Sequence, residues 1–278
     1  MDNRMMRILP TRLRLPLALL LCTLCGAAGA EPAQPAARPE WEGALGLVAA
    51  NGPSYMGASD RSNSFVPAFY LRWGRVTLTN AGGFVTRRTE EVDRGLGLDL
   101  SASEHLRLKL ALRFDNGRSD SDSPALRGLG NVRSTVRARL SAQYPLASEL
   151  KLGAAWSLDL LGRGGGSFGD LSLQFDHPLG SDLSMSLSTA VTLANRRYLQ
   201  SWFGVDAEQS AATGYALYEP HAGVRDVAAS LTLRGRLGER WMTMGSLGGS
   251  VLLGSAADSP LTHQRSGWRV GAGMAYRF

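Results

Sequence analysis

Apolar and polar residues alternate along much of this chain. In residues 105–114 every even position is apolar, whereas the odd positions include Arg107, Lys109 and Arg113. Successive side chains of a β-strand point to opposite faces, so this period of two predicts a strand with one apolar face. Twelve such runs occur, although ten strands would also fit: about 41–50, 64–73, 75–85, 94–102, 105–114, 131–144, 149–160, 168–177, 182–193, 222–237, 241–253 and 267–278.

The connections between these runs alternate in length. Those after even-numbered runs are short, such as Gly74 or residues 145–148, and those after odd-numbered runs are mostly long, up to residues 194–221. Tilted runs of about ten residues are long enough to cross a membrane. An even number of strands with short turns on one side and long loops on the other predicts an all-β fold, a transmembrane antiparallel β-barrel, over a soluble β-sandwich.

The final run ends on the last residue of the sequence. From Trp268 to Phe278 every second residue is apolar or aromatic, and Tyr276 is one of them. A C-terminal aromatic residue that closes such a strand resembles the signal read by the bacterial barrel-assembly machinery, so we expect Tyr276 and Phe278 to form that signal. Aromatic residues near other strand ends are typical of the girdles that contact outer-membrane lipid.

The first thirty residues predict a cleavable secretory signal peptide. Four arginines precede an apolar core over residues 15–24, and Ala28-Gly29-Ala30 forms a small-residue cleavage site, so we expect cleavage after about Ala30. Residues 31–40 are rich in proline and alanine and are expected to form a periplasmic spacer. The barrel would then occupy residues 41–278, in the cell outer membrane.

Composition narrows the possible chemistry. Both cysteines, Cys22 and Cys25, fall in the predicted signal peptide, so the mature chain has no disulfide or thiolate site. Removing four arginines and Asp2 with that peptide lowers the formal net charge from +6 to +3, which is no argument for nucleic-acid binding. No histidine pair has metal-ligand spacing, and no nucleophile motif surrounds loop residues such as Ser210 or Ser259. We therefore expect neither a cofactor nor enzymatic activity.

Three segments of the chain resemble the MipA/OmpV family of outer-membrane proteins. The match spans nearly the whole mature chain, with departures at Trp202, where tyrosine is expected, and at Ser255, where aspartate is expected. The residues that carry the resemblance are Pro53, Tyr55 and Gly57 in the first segment, Phe203, Gly204, Val205, Ser210, Gly214 and Tyr218 in the second, and Asp258, Ser259 and Pro260 in the third.

The resemblance implies a non-enzymatic scaffold. The name-giving member of the family is described as bridging a lytic transglycosylase and a bifunctional murein synthase at the outer membrane. Those two enzymes are therefore the expected partners, and peptidoglycan synthesis and turnover is the expected process.

The loops predicted to lie outside the cell leave a first alternative open. The segments 53–57 and 202–218 combine aromatic and glycine residues, with a proline in the first. Such loops could fold over the barrel mouth as a cap, or they could present a contact surface for a host or envelope ligand. One branch of the family is associated with surface antigenicity and adhesion, which would make the chain an adhesin that uses the 194–221 loop.

The inward-facing positions leave a second alternative open. By the alternation, basic side chains of three neighbouring runs point into the lumen, where the candidate acids include Asp99 and Asp159. Such a wall would either favour anions in a narrow pore or form a solvated network with acids on the facing wall, and we favour the network. The basic residues are Arg107, Lys109, Arg113, Arg133, Arg137, Arg139 and Lys151.

Overall fold

The computed structural model describes residues 41–80, 94–102 and 105–278. Within them the chain forms one closed antiparallel sheet, in which consecutive strands pair and the first strand pairs with the last. The predicted signal peptide and spacer lie outside the described residues. The strands are β1 (Trp41–Pro53), β2 (Arg61–Trp73), β3 (Val76–Thr79), β4 (Gly95–Ala102), β5 (Arg107–Asp115), β6 (Thr135–Pro145), β7 (Leu150–Asp159), β8 (Ser167–Pro178), β9 (Leu183–Ala194), β10 (Gly223–Leu237), β11 (Trp241–Leu252) and β12 (Ser266–Arg277).

This topology confirms the predicted transmembrane antiparallel barrel and gives twelve strands, not ten. Most strand ends lie within three residues of the prediction. β6 begins at Thr135 instead of residue 131, so Arg133 lies before the strand. β3 ends at Thr79, and the side-chain oxygen of Asn80 then accepts from the backbone N–H of Phe69 at 2.9 Å. The predicted continuation of this strand over residues 81–85 lies outside the described residues.

The two faces of the barrel wall differ as a membrane requires. Large apolar side chains cover the outside, where Leu45, Leu171 and Leu247 each expose more than half of their surface. Small or polar side chains such as Ala111 and Ser157 fill the inside and are almost fully buried. Because each strand is hydrogen-bonded to neighbours on both edges, its backbone needs no partner from the lipid.

Aromatic side chains mark the closing seam of the barrel at its short-turn end. The rings of Trp41 and Phe278 lie 5.8 Å apart, and those of Trp241 and Tyr276 lie 5.2 Å apart, edge to face. The backbone N–H of Phe278 donates to the carbonyl of Gly43 at 3.1 Å. A Cβ at Gly43 would come within 2.5 Å of the Phe278 ring, so the glycine allows the last residue to lie against β1.

Candidate functional site

The connections at the opposite end of the barrel pack together into what we call the cap. It comprises residues 54–60, 116–134, 160–166, 195–222 and 253–265, which follow β1, β5, β7, β9 and β11. Its buried apolar side chains form two clusters with the strand ends. The sequence left two expectations for these loops, a cap over the barrel mouth or a contact surface. The packing of the loops agrees with a cap.

Helix α1 (Arg196–Phe203) anchors the first cluster. Asn195 is its N-cap, and the side-chain oxygen of this residue accepts from the backbone N–H of Tyr198 at 2.9 Å. This hydrogen bond satisfies one free donor of the first turn. Tyr198, Leu199 and Phe203 are buried against the ends of β9 and β11. None of the helices in the described part of the chain is long and apolar enough to cross a membrane.

Helix α2 (Ala207–Thr213) is set by a capping box. Asp206 accepts from the backbone N–H of Gln209 at 2.8 Å, and the Gln209 side chain accepts from the N–H of Asp206 at 3.0 Å. Gly214 ends the helix with a φ of 79°, which side chains other than glycine rarely adopt. The amide of Gln209 also donates to the carbonyl of Leu129 at 2.6 Å, so this helix joins two segments of the cap.

Tyr55 lies in the second cluster. It packs with Leu126, Val205 and Leu261, all of which are buried, and its hydroxyl donates to the carbonyl of Leu261 at 3.1 Å. Burial, reinforced by the nearby Tyr215 and Asp60, raises the pKa of Tyr55 to about 12. The phenol therefore stays protonated and keeps its hydrogen bond far above neutral pH.

The other residues of the three family-like segments make backbone contacts within the cap. The hydroxyls of Ser259, Ser210 and Tyr218 donate to carbonyls at 2.6, 2.7 and 2.8 Å, respectively. Gly57 has a φ of 96°, and its carbonyl accepts from Gln264 at 3.0 Å. The remaining members are Pro53 at the end of β1, Gly204 after α1, Asp258 at the end of α3 (Gly254–Ala257) and Pro260 before the buried Leu261.

Asp60 links the segments 54–60 and 116–134 of the cap. Its carboxylate accepts hydrogen bonds from the hydroxyls of Ser54 at 2.7 Å and Ser123 at 3.0 Å. Burial alone would raise the pKa of Asp60, but the hydrogen bonds outweigh it and lower the pKa below its ordinary value. The carboxylate therefore keeps both hydroxyls at neutral pH.

Beneath the cap, basic residues that were predicted to face the lumen have acidic partners. Arg139 and Asp170 share two hydrogen bonds of 2.8 and 3.0 Å, and Arg137 donates to Asp115 at 2.6 Å. Both arginines are almost fully buried. A charge buried to this degree is costly to leave without its partner, so the pairs constrain the wall of β5, β6 and β8.

Two lysines nearer the short turns are paired in the same way. Lys151 donates to Asp176 at 2.8 Å. Lys109 lies 3.6 Å from Asp99, which also accepts from Arg72 at 3.2 Å. Four of the seven predicted lumen cations therefore form ion pairs with acids of the described residues, and these pairs link strands from β4 to β8.

The remaining predicted lumen residues have other positions. Arg107 and Arg113 stand on the same face of β5 as Lys109, and Arg133 is exposed in the cap. Asp159 closes the connection 160–166, where it accepts from the backbone N–H of Gly165 at 2.9 Å. The sequence analysis missed three acids, although the alternation places them inward on their strands: Asp115, Asp170 and Asp176.

Tyr198 connects the cap to the lumen wall. Its ring lies 5.5 Å from the guanidinium of Arg137 and 5.3 Å from that of Arg225, within the range of cation–π attraction. Arg225 also donates to the hydroxyl of Tyr198 at 2.7 Å. A β-bulge between Val224 and Asp226 inserts Arg225 into β10 and allows this side chain and that of Asp226 to be buried together. The sequence analysis did not identify this pair.

Histidine and serine side chains that hydrolytic chemistry would require have other hydrogen-bond partners in the structure. His263 is 3.2 Å from the hydroxyl of Tyr215 in the cap, whereas His177 is 3.1 Å from Glu149 at the short-turn end. Ser259 is buried with its hydroxyl on a backbone carbonyl. In the part of the chain that the structure describes, no group of three or more histidine, cysteine or acidic residues is placed to hold a metal ion.

Comparison with known proteins identifies the family. Residues 45–278 match the family described as "MltA-interacting protein MipA". The chain belongs to the MipA family. The resemblance found in the sequence is thereby confirmed, and the protein is an outer-membrane β-barrel of this family.

Individual relatives are more distant. The protein named "Putative outer membrane protein YiaT" of Escherichia coli (strain K12) is 29% identical over 189 residues, which is 66% of this chain and 74% of YiaT. Among solved structures, an anion-selective porin from Comamonas acidovorans is 10% identical with a TM-score of 0.38, covering 86% of this chain and 98% of the porin. OmpT of Vibrio cholerae is 7% identical with a TM-score of 0.38, covering 86% and 97%. These structures are too dissimilar to bear on function.

Proposed function

We propose that this MipA-family barrel is a non-enzymatic scaffold that holds a lytic transglycosylase and a murein synthase at the inner face of the outer membrane. The family match over residues 45–278 carries the proposal, because the family's description names an interaction with MltA, a lytic transglycosylase. A barrel fixed in the membrane would keep enzymes of peptidoglycan cleavage and synthesis close to each other and to their polymer.

The interior of the barrel supports a static role over that of a narrow anion pore. Arg137, Arg139, Lys109 and Lys151 each lie within 4 Å of a carboxylate. Paired charges create a much weaker field along a lumen than free cations, so these residues attract anions less than the sequence alone suggests. The packed cap adds further contacts across the mouth above them.

The short turns are the part of the fold that a periplasmic partner would meet, because outer-membrane barrels place their short turns in the periplasm. Ala147, Gly180 and Glu239 are exposed there. Beside them, Arg236 and Asp182 form an exposed ion pair with a distance of 3.0 Å. We assign partner binding to these turns together with the spacer over residues 31–40.

Affinity capture tests the proposal. The tagged full-length barrel is solubilised from native outer membranes, and the bound proteins are identified by mass spectrometry. A lytic transglycosylase and a murein synthase should be recovered with the wild-type barrel and with the cap variant Leu217→Ala, but not after both turns 146–149 and 179–182 are replaced by Asn-Gly. Absence of murein enzymes from the wild-type sample would contradict the scaffold, and stable anion-selective conductance in planar bilayers would favour the pore.

One observation favours an adhesin as the second candidate. Helix α2 has no buried residue, and the nearby Leu217 is 65% exposed, so this part of the cap offers an apolar contact at its surface. Deleting the whole loop would be a poor test, because it removes Phe203 and Val205 from the buried clusters. The sharper test is Leu217→Asp, which should reduce attachment of intact cells to a host surface while barrel assembly is unchanged.

A further inference from the structure

A cavity of about 470 Å³ lies beneath the cap, against the strands β10 to β12. Its roof includes Tyr55, Met56 and Trp202, and its wall is formed by β10, β11 and β12. Ser230 and Gly248 line that wall, and these small residues leave the space open. The volume is within the range of pockets that bind small organic molecules.

The charges that line this cavity do not cancel. Arg225 is paired with Asp226, and Arg265 is paired with Asp258 at 2.9 Å. Arg269 faces the cavity as well. In the described part of the chain, Arg269 has neither a carboxylate within ion-pair distance nor a hydrogen-bond acceptor, so one positive charge is left over.

The position of Arg269 is built into the sheet. A Cβ at Gly52 would meet the Nε atom of Arg269 at 2.7 Å, so the glycine of β1 provides the space in which this side chain lies. The charge of Arg269 also acts on Arg94, whose pKa is lowered first by burial and then by the charges of Arg113 and Arg269. An anion bound at Arg269 would reduce this repulsion.

A neutral donor accompanies the cation. The indole Nε1 of Trp202 is buried without an acceptor in the described structure, although Trp202 lines the cavity. A buried N–H that lacks a partner costs free energy, so a reorientation of the indole that brings this N–H to a ligand oxygen in the cavity would be favourable. Tyr55, Met56 and Leu252 offer apolar surface to the rest of such a ligand.

We propose that this cavity binds a small organic anion, a carboxylate with an apolar body, through the guanidinium of Arg269 and the indole N–H of Trp202. The site is distinct from the paired basic wall of β5 to β7 and does not depend on the proposed scaffold function. Arg269 supplies charge recognition, Trp202 supplies a directed hydrogen bond, and the cap residues cover the apolar part.

The test is a ¹⁹F NMR titration of the full-length barrel in detergent micelles. The probe is 6-fluoro-2-naphthoate, and its neutral counterpart is 6-fluoro-2-naphthamide; empty micelles correct for partitioning. The wild-type barrel should bind the carboxylate at least about ten-fold more tightly than the amide. Arg269→Gln should weaken carboxylate binding by about ten-fold or more and leave amide binding unchanged.

Matched variants separate the site from general effects of charge and folding. Arg196→Gln removes a positive charge from the exposed Arg196–Glu219 pair on the cap and should bind the probe like the wild type. Trp202→Phe keeps an aromatic ring and should weaken carboxylate binding by several-fold without changing the heat-modified gel mobility of the barrel. Equal binding of carboxylate and amide, absence of binding up to about 5 mM, or equal loss in Arg196→Gln and Arg269→Gln would each overturn the proposal.

Discussion

The substitution Phe203→Ala tests whether the cap is held by its first buried cluster. Phe203 is fully buried, and it packs with Leu199, Leu252 and Ala256. Removing a buried phenyl ring from such a cluster costs about 3–5 kcal/mol through lost transfer energy and the cavity left behind. This cost should lower the free energy of opening the cap and not that of unfolding the barrel, because Phe203 belongs to a connection and not to a barrel strand.

Hydrogen–deuterium exchange with mass spectrometry measures this cost by segment. The amide of Leu199 in α1 and that of Gly204, which follows the helix, are protected by hydrogen bonds of 3.1 and 3.0 Å to the carbonyls of Asn195 and Gln200. A loss of about 3–5 kcal/mol in the opening free energy should speed their exchange by about two to nearly four orders of magnitude. Leu217→Ala is the matched control, since that side chain is 65% exposed and should change exchange little.

Two results would refute this reasoning. If α1 exchanges no faster in Phe203→Ala than in Leu217→Ala, the cluster does not hold the cap closed. If the barrel strands lose protection to the same extent as α1, the cap and the barrel open as one unit, and the cap is not an independent element.

Three further predictions follow from single contacts. Arg139→Gln leaves the partly buried Asp170 without its partner and should cost about 3 kcal/mol. The variant should therefore lower the thermal transition in a heat-modifiability gel, whereas Arg163→Gln, at an exposed position, should not; equal transitions would contradict the pairing. Burial raises the pKa of Tyr55 to about 12, so the contribution of its protonated phenol to the stability of the cap should be complete below about pH 10 and lost as the pH rises through 12. Tyr55→Phe should remove the corresponding late step from the 295 nm absorbance titration. Deleting Phe278 should reduce the amount of folded barrel in the outer membrane more than Leu217→Ala does; equal amounts would exclude it from the assembly signal.

The barrel itself was predictable because one physical rule governs every strand. A residue that faces lipid must be apolar and its neighbours face the lumen, so the period of two survives along the whole of β5, β7 and β12. The same rule would have found Arg269, which lies between the outward Trp268 and Val270. The prediction assigned lumen charges to only three neighbouring runs and so did not include Arg269.

The cap was predictable only in part, because its structure depends on contacts between segments far apart in the chain. Helix α2 had a local signal in Asp206 and Gln209, three residues apart, followed by Gly214. The burial of Tyr55 against Leu261 had no such signal, since the two lie in different loops. Sequence reasoning could therefore find the residues of the cap but not their pairing.

The bulge in β10 shows where alternation fails. The exposed residues Val224 and Val227 are three positions apart, an odd spacing that a regular strand cannot place on one face. That spacing was a readable sign of an inserted residue, and the insertion brings Arg225 beside Asp226. The prediction treated residues 222–237 as one regular strand and so missed the pair that contacts Tyr198.

Site-specific photo-crosslinking tests the scaffold most directly. A photoreactive amino acid is introduced at Ala147 or Gly180 in the short turns, and at Leu217 in the cap as the control. All three positions are exposed. Irradiation of intact cells should join the turn positions, and not Leu217, to a lytic transglycosylase or a murein synthase. If neither turn position yields such an adduct while the enzymes are present in the same envelopes, or if only Leu217 does, the account of this barrel as a periplasmic scaffold is wrong.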